Sequence, residues 1–172
     1  AFGNTCVLKP SEQTPLSLAR LVALLNDVLP EGVLNLVNGR GPVTGAALVA
    51  NPDVDLISFT GGTETGRAIM SAAGQNLVPT TMELGGKSAN IIFASADIER
   101  ALDGALQGIF SNNGQQCLAG SRILVERSMF DEFTARFAER AKRIKVGDPL
   151  DDATEVGPLA SAPHMNRVLS FA

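Results

Sequence analysis

Two hydrophobic rhythms alternate along this chain, short apolar runs and longer stretches with apolar residues at helical spacing. Thr5-Cys6-Val7-Leu8-Lys9 is an apolar run closed by Pro10, as expected of a strand that stops before a proline. Ser11 to Thr14 offers polar caps, Pro15 suits a first helical turn, and Leu18, Leu21, Val22, Leu25 and Val28 recur on one helical face. Pro30-Glu31-Gly32 closes that helix. Val33 to Val37 predicts a second strand, Asn38 to Pro42 a turn, and Thr44 to Ala50 a short helix. Val54 to Phe59 predicts a third strand, running into a glycine-rich turn from Gly61 to Gly66 that opens a helix over Arg67 to Ala73. Val78 to Glu83 is the fourth strand. Cys6, inside the first, is expected in the core.

Four strand and helix alternations with short loops predict an α/β fold, a parallel sheet with helices on both faces. Leu84-Gly85-Gly86-Lys87-Ser88 interrupts the rhythm, so one unit is expected over 1–83 and a second over 84–172. The second unit predicts a strand (Ala89 to Phe93), a helix (Asp97 to Phe110), a loop, a strand (Arg122 to Glu126) and a helix (Phe130 to Ile144). Val146 to Pro149 and Val156 to Pro158 are expected as surface turns. The chain starts without methionine just before a strand and ends inside a helical pattern, so a central portion of a longer protein is expected.

Composition narrows the function classes. With 172 residues and 45% hydrophobic content, the chain can bury a core. A net charge of −4 with acids and bases interspersed argues against nucleic acid or an anionic membrane as partner, and no Trp or Tyr is present to stack bases. Cys6 and Cys117 form no CxxC pair and stand with one histidine, so neither a metal site nor a disulfide framework is expected; a reducing, cytoplasmic setting is. No apolar run is long enough for a membrane helix.

The candidate chemistry begins at Cys117, in the loop Ser111 to Gly120 with Gly114 and Gly120 on either side. Such a thiol is either a small core hydrophobe or a nucleophile presented by a tight turn, and the loop alone leaves both open. Two glycine-rich turns, Gly39-Arg40-Gly41 with Gly45 and Gly61 to Gly66, could offer backbone N–H groups to phosphate at a helix start. In the second, Thr63 stands where a dinucleotide fingerprint has its middle glycine. Lys9 and Glu12 follow the first strand and are either a solvated pair or a hydroxyl clamp. Glu83 ends a strand; partial burial in a cleft would suit it as a general base, and a surface carboxylate is the alternative. His164 could pair with Cys117 only if the fold brought them together. Asp97, Glu99, Arg100 and the run Glu139 to Lys145 are expected as solvated helix faces.

Taken together, Lys9-Pro10-Ser11-Glu12-Gln13-Thr14-Pro15, Phe59-Thr60-Gly61-Gly62-Thr63-Glu64-Thr65-Gly66, Glu83-Leu84-Gly85-Gly86-Lys87-Ser88 and Gly114-Gln115-Gln116-Cys117 resemble the NAD(P)-dependent aldehyde dehydrogenase superfamily in order and spacing. Within it the chain is most similar to hydroxymuconic semialdehyde dehydrogenases. The resemblance implies a Rossmann-like NAD-binding portion followed by part of a catalytic domain, the fold being incomplete. It implies oxidation of an aldehyde, a semialdehyde above all, through a thiohemiacetal and a thioester on Cys117, with Glu83 as general base. It assigns Lys9 and Glu12 to the adenine ribose, and Gly41, Gly61, Gly62, Thr63 and Gly66 to the pyrophosphate, with Ser11, Leu84 and Gly85 also touching the cofactor. Gly62 stands where many relatives carry serine. NAD is expected over NADP because Glu12 would repel a 2′-phosphate. A small aldehyde is the expected partner, and the full-length protein a homodimer or homotetramer. The second oxyanion donor and the glutamate that contacts the nicotinamide ribose lie outside this chain in the family pattern, so the isolated chain is expected to be inactive. A CoA-acylating dehydrogenase and a non-catalytic structural paralogue remain the alternatives.

Overall fold

The computed structural model of the protein describes residues 3–171. The chain divides into two compact units, Ala1–Met82 and Glu83–Ala172.

In the first unit, β1 (Cys6–Leu8) and β2 (Leu34–Leu36) pair in parallel, with Cys6 opposite Leu34 and Leu8 opposite Leu36. A parallel pair needs a crossover, and α1 (Leu16–Asn26) supplies it, starting at Pro15 and burying Val22. α1 ends short of Val28. The N–H groups of Val28 and Leu29 both turn back to the Leu25 carbonyl, and Pro30 then prevents continuation. Cys6 corrects the expectation of a core thiol: it is exposed, as is Val7, and only Leu8 of this strand is half-buried. The run is apolar because β-structure favours such residues, not because the strand is enclosed.

After β2 the helical backbone begins at Gly41, ahead of the expected Thr44. A wide π-type turn over Gly41–Gly45 runs directly into α2 (Ala46–Val49). The Arg40 carbonyl accepts from Val43 and Thr44, and Pro42 sits in the first turn, where its missing N–H costs nothing. β3 (Ile57–Gly61) and β4 (Thr80–Leu84) are neighbours in a second two-stranded sheet, joined by α3 (Thr63–Gln75).

The second unit repeats the plan with more burial. β5 (Ala89–Ile92) pairs in parallel with β6 (Arg122–Val125) across the crossover helix α4 (Ile98–Phe110). Asp97 caps α4, its carboxylate accepting from the Arg100 N–H at 3.1 Å. α5 (Phe130–Ala141) packs on α4 around a core of Ile92, Leu102, Ala105 and Phe133. Phe137 extends that core by stacking 6.0 Å from Phe133 and 6.4 Å from Phe110. Glu99, expected to be simply solvated, instead joins Asp103 in an ionic seam with Arg136 and Arg140 of α5. The two expected turns at Gly147 and Gly157 are tied by a Val146–Val156 bridge, and α6 (Ala162–Leu169) follows, capped by Ser161.

The α/β alternation therefore stands, but the described strands form three two-stranded sheets instead of one continuous sheet. β1 and β2 each run for only 3 residues, which offers few ladder bonds to a further neighbour. Among the described residues no helix is long and apolar enough to cross a membrane.

One local strain is directly testable. Leu77, just beyond α3, holds a left-handed backbone (φ 54°) where glycine is the usual helix terminator, and its side chain is exposed. Leu77→Gly is expected to stabilise the protein by about 1 kcal/mol in chemical denaturation, and an equal loss would show that the leucine is held by contacts.

Candidate active site

Cys117 owes its position to the way α4 ends. Asn112 (φ 51°, ψ 41°), Asn113 (φ 57°, ψ 29°) and Gly114 (φ 70°) are three consecutive residues in the left-handed region, which reverse the chain within one turn. Asparagine and glycine are the residues that tolerate this conformation. The loop is then pinned on both sides of the cysteine. The Gln115 N–H donates to the Asn112 carbonyl at 3.0 Å, Ala119 to Gln116 at 3.2 Å, and Gly120 to Gly108 of α4 at 3.1 Å. Ala119 is buried while Cys117 is exposed, so the backbone is anchored and the thiol faces outward. No acceptor among the described residues takes the Cys117 N–H.

The stretch beginning at Glu83 runs beside this loop. The register that sets Ala89 opposite Arg122 continues backward: the Arg122 N–H reaches the Ser88 carbonyl at 3.3 Å, and its Nε reaches Lys87 O at 2.8 Å. A methyl group placed on Gly86 would lie 3.3 Å from the Cys117 carbonyl oxygen, and one on Gly120 would lie 3.2 Å from the Asn90 Cβ. These contacts draw Gly86 and Cys117 together within the second unit. Glu83 lies in β4 at an exposed position, between the half-buried Met82 and Leu84. Of the two arrangements open for it, a partly buried or a surface carboxylate, the strand of alternating exposure gives it an outward place.

In the first unit the structure gathers Lys9, Glu12 and Gly41. The Lys9 ammonium donates to Pro10 O at 2.6 Å and to Gly39 O at 3.1 Å, and stands 4.0 Å from a Glu12 oxygen. Its stem lies over Gly45, where an added methyl would meet Lys9 Cε at 3.4 Å. Gly39 needs to be glycine, since at φ 152° a Cβ would fall 1.9 Å from Thr44 Oγ1. Glu12's own backbone amide holds its carboxyl below the usual glutamate range. Desolvation opposes this, and the Gly41 N–H, Lys9 and Arg40 lower it further. Ser11 serves its own turn, its hydroxyl accepting from the Gln13 N–H at 3.2 Å.

The second glycine-rich segment differs from expectation. Gly61 ends β3 and α3 begins at Thr63, so only Gly62 remains as turn. Gly66 is buried inside the helix with its N–H donating to the Gly62 carbonyl at 3.0 Å, so it serves packing and is not a free donor. Gly62 caps α3 without any side-chain hydrogen bond, and a methyl on Gly62, Gly41 or Gly85 would meet open space. The uncapped N–H groups at the start of α3, beside the open Gly62, are what a phosphate group requires, so this turn fits the pyrophosphate of a dinucleotide. Thr63 is the first helical residue, and Leu84 is half-buried at the end of β4.

His164 lies in the first turn of α6, where its N–H meets the Ser161 hydroxyl, and no hydrogen bond among the described residues joins it to Cys117. No cluster of metal-ligating side chains occurs among the described residues. Sequence reasoning passed over Asn113 and Arg122. The signal for the first was Asn112-Asn113-Gly114, a run suited to left-handed backbone; Arg122 carried none.

A model of the aldehyde dehydrogenase family matches residues 1–172. Retinal dehydrogenase 2 of Gallus gallus is 52% identical over 98% of this chain and 33% of its own length. The 5-carboxymethyl-2-hydroxymuconate semialdehyde dehydrogenase of Escherichia coli is 54% identical over 99% of this chain and 36% of its own. A crystal structure of betaine aldehyde dehydrogenase from Staphylococcus aureus in complex with NAD+ superposes with a TM-score of 0.94 at 45% identity, covering 97% of this chain and 33% of that one. The chain thus spans about a third of the length of the curated relatives it matches.

The Glu12 cluster predicts a pH effect of known sign. A carboxyl lowered in the folded state adds stability above the ordinary value of 4.5, and that stability disappears as pH falls through the folded value. Glu12→Gln is therefore expected to remove a small part of the acid sensitivity of unfolding below about pH 4.5. A carboxyl chemical-shift titration that placed Glu12 above ordinary glutamates would contradict the arrangement.

Proposed function

The chain belongs to the aldehyde dehydrogenase family, and we propose that the protein oxidises an aldehyde to a carboxylate, with Cys117 as nucleophile, Glu83 as general base and NAD as hydride acceptor. The observation that carries this reading is the exposed Cys117 thiol on a loop hydrogen-bonded on both sides, beside the Gly86 stretch that begins at Glu83.

The Cys117 thiolate adds to the aldehyde carbon, and the resulting alkoxide takes a hydrogen bond from the Cys117 N–H, which has no other acceptor among the described residues. The thiohemiacetal loses hydride from its former aldehyde carbon and becomes a thioester on the same sulfur. Glu83 takes a proton from water, the hydroxide adds to the thioester, and the C–S bond breaks to release thiolate and the carboxylic acid, which gives its proton to solvent. Sulfur suits both steps, since it adds readily and leaves readily. NAD, when bound, supplies the acceptor for the hydride.

The residues that would hold NAD are Lys9 and Glu12 at the adenine ribose and Gly41, Gly61, Gly62 and Thr63 at the pyrophosphate, with Ser11, Leu84 and Gly85 as further contacts. Gly66 packs the helix beneath. Support for NAD over NADP comes from Glu12, whose lowered carboxyl is charged at neutral pH and would repel a 2′-phosphate. Among substrate classes we favour a semialdehyde, supported by the name of the Escherichia coli relative at 54% identity. A cytoplasmic homo-oligomer is the setting we propose.

Full-length protein assayed with a panel of semialdehydes is expected to form NADH, with NADP at least about tenfold less effective. Cys117→Ala is expected to lower turnover by several orders of magnitude without loss of NAD binding. Undiminished turnover in that variant would exclude the nucleophile, and a preference for NADP would exclude the role given to Glu12.

A further inference from the structure

The cysteine loop has one long-range attachment that the reaction leaves unexplained. Asn113, half-buried between two exposed neighbours, directs its side-chain amide to a turn more than forty residues later. Its Oδ1 accepts from the Gly157 N–H at 3.1 Å, and its Nδ2 donates to the Pro158 carbonyl at 2.9 Å. The grip is two-pronged and uses both ends of the amide.

The turn it holds is itself fixed. The N–H groups of Glu155 and Val156 both donate to Lys145 O, at 2.9 and 3.1 Å, and the Gly147 N–H returns to Val156 O at 3.1 Å. The Glu155 carboxylate closes the arrangement by accepting from the Lys145 N–H at 2.9 Å. A hydrogen-bonded path therefore leads from Lys145, beyond α5, through the Gly157–Pro158 turn to the turn before Cys117.

The left-handed backbone at Asn113 does not by itself require this side chain. Glycine would adopt φ 57° with less strain, so backbone conformation alone favours glycine over asparagine. An amide that both donates and accepts is what the Gly157–Pro158 backbone requires, and asparagine meets both demands. Aspartate would keep the acceptor but place a carboxylate against the Pro158 carbonyl.

We propose that Asn113 is a positioning residue for Cys117: its amide fixes the left-handed turn of the cysteine loop to the Gly157–Pro158 turn and so sets where the thiol stands. This rests on the reading of Cys117 as the nucleophile. Asn113 itself touches no reacting atom in this account. Its effect passes through the backbone of Gly114 to Gln116.

The test uses Asn113→Gly and Asn113→Asp in the full-length protein. Asn113→Gly keeps the backbone conformation and deletes the clamp, so folding is expected to survive; Asn113→Asp keeps the side-chain volume if it does not. Both are expected to lower kcat by about 10- to 100-fold, with KM for NAD within twofold of wild type. Iodoacetamide labelling followed by peptide mass spectrometry gives a readout independent of dehydrogenase turnover. The Cys117 rate is expected to change several-fold while the rate at Cys6, which is also exposed, stays constant. Asn113→Gly with wild-type kcat and wild-type Cys117 labelling would overturn the proposal, as would equal changes at both cysteines. A wild-type protein that oxidised no aldehyde would refute the proposed reaction, and the labelling comparison would still decide the clamp.

Discussion

The parallel ladder between β5 and β6 is the interaction on which the site in the second unit depends. Ala89 opposite Arg122 fixes the register, and the bonds from Arg122 to Lys87 and Ser88 extend it beyond the strands. A one-residue slip would turn Ile92 and Val125 away from Leu102 and Phe133, so the core enforces this register. The same register sets Gly86 against Cys117, where a larger residue would press on the carbonyl oxygen. Packing on one side of the ladder thus determines which backbone segments meet at its other end.

Against that ordered ladder, the cysteine loop holds an unfavourable conformation. Non-glycine residues in the left-handed region cost on the order of 1–3 kcal/mol each unless the side chain suits it, and the loop places two of them in succession. Both are asparagines, which lowers the cost. Hydrogen bonds from Gln115, Ala119 and Gly120 hold the rest. A thiol on a loosely held loop would sample many positions; this one is exposed on an anchored backbone, the arrangement covalent catalysis requires.

Much of this was legible in the residues, and the misses have physical causes. Apolar runs located all six strands of the described residues, because the β-period and the prolines and glycines that end each run are local features. Helix starts were less legible: Gly62 and Thr63 look like turn residues, yet Thr63 already belongs to α3, since a helix N-terminus tolerates both. Cys6 looked like core because its neighbours are apolar, but burial depends on what packs over a strand. Glu83 was placed correctly near a strand end, and its exposure followed from side-chain alternation that a strand-end assignment does not fix. The Asn113 clamp and the Arg122 bonds join segments distant in sequence, and no local pattern announces such partners.

The central claim is that Cys117 carries the acyl group and Glu83 activates the water that removes it. Acid-quenching full-length Glu83→Gln protein during turnover with a semialdehyde and NAD, then mapping its peptides by mass spectrometry, tests this most directly. The account predicts an acyl mass on Cys117 that accumulates far above the wild-type level, with one equivalent of NADH formed per site before turnover stalls. An unmodified Cys117 in a variant that still makes NADH, or an acyl mass on another residue, would contradict it.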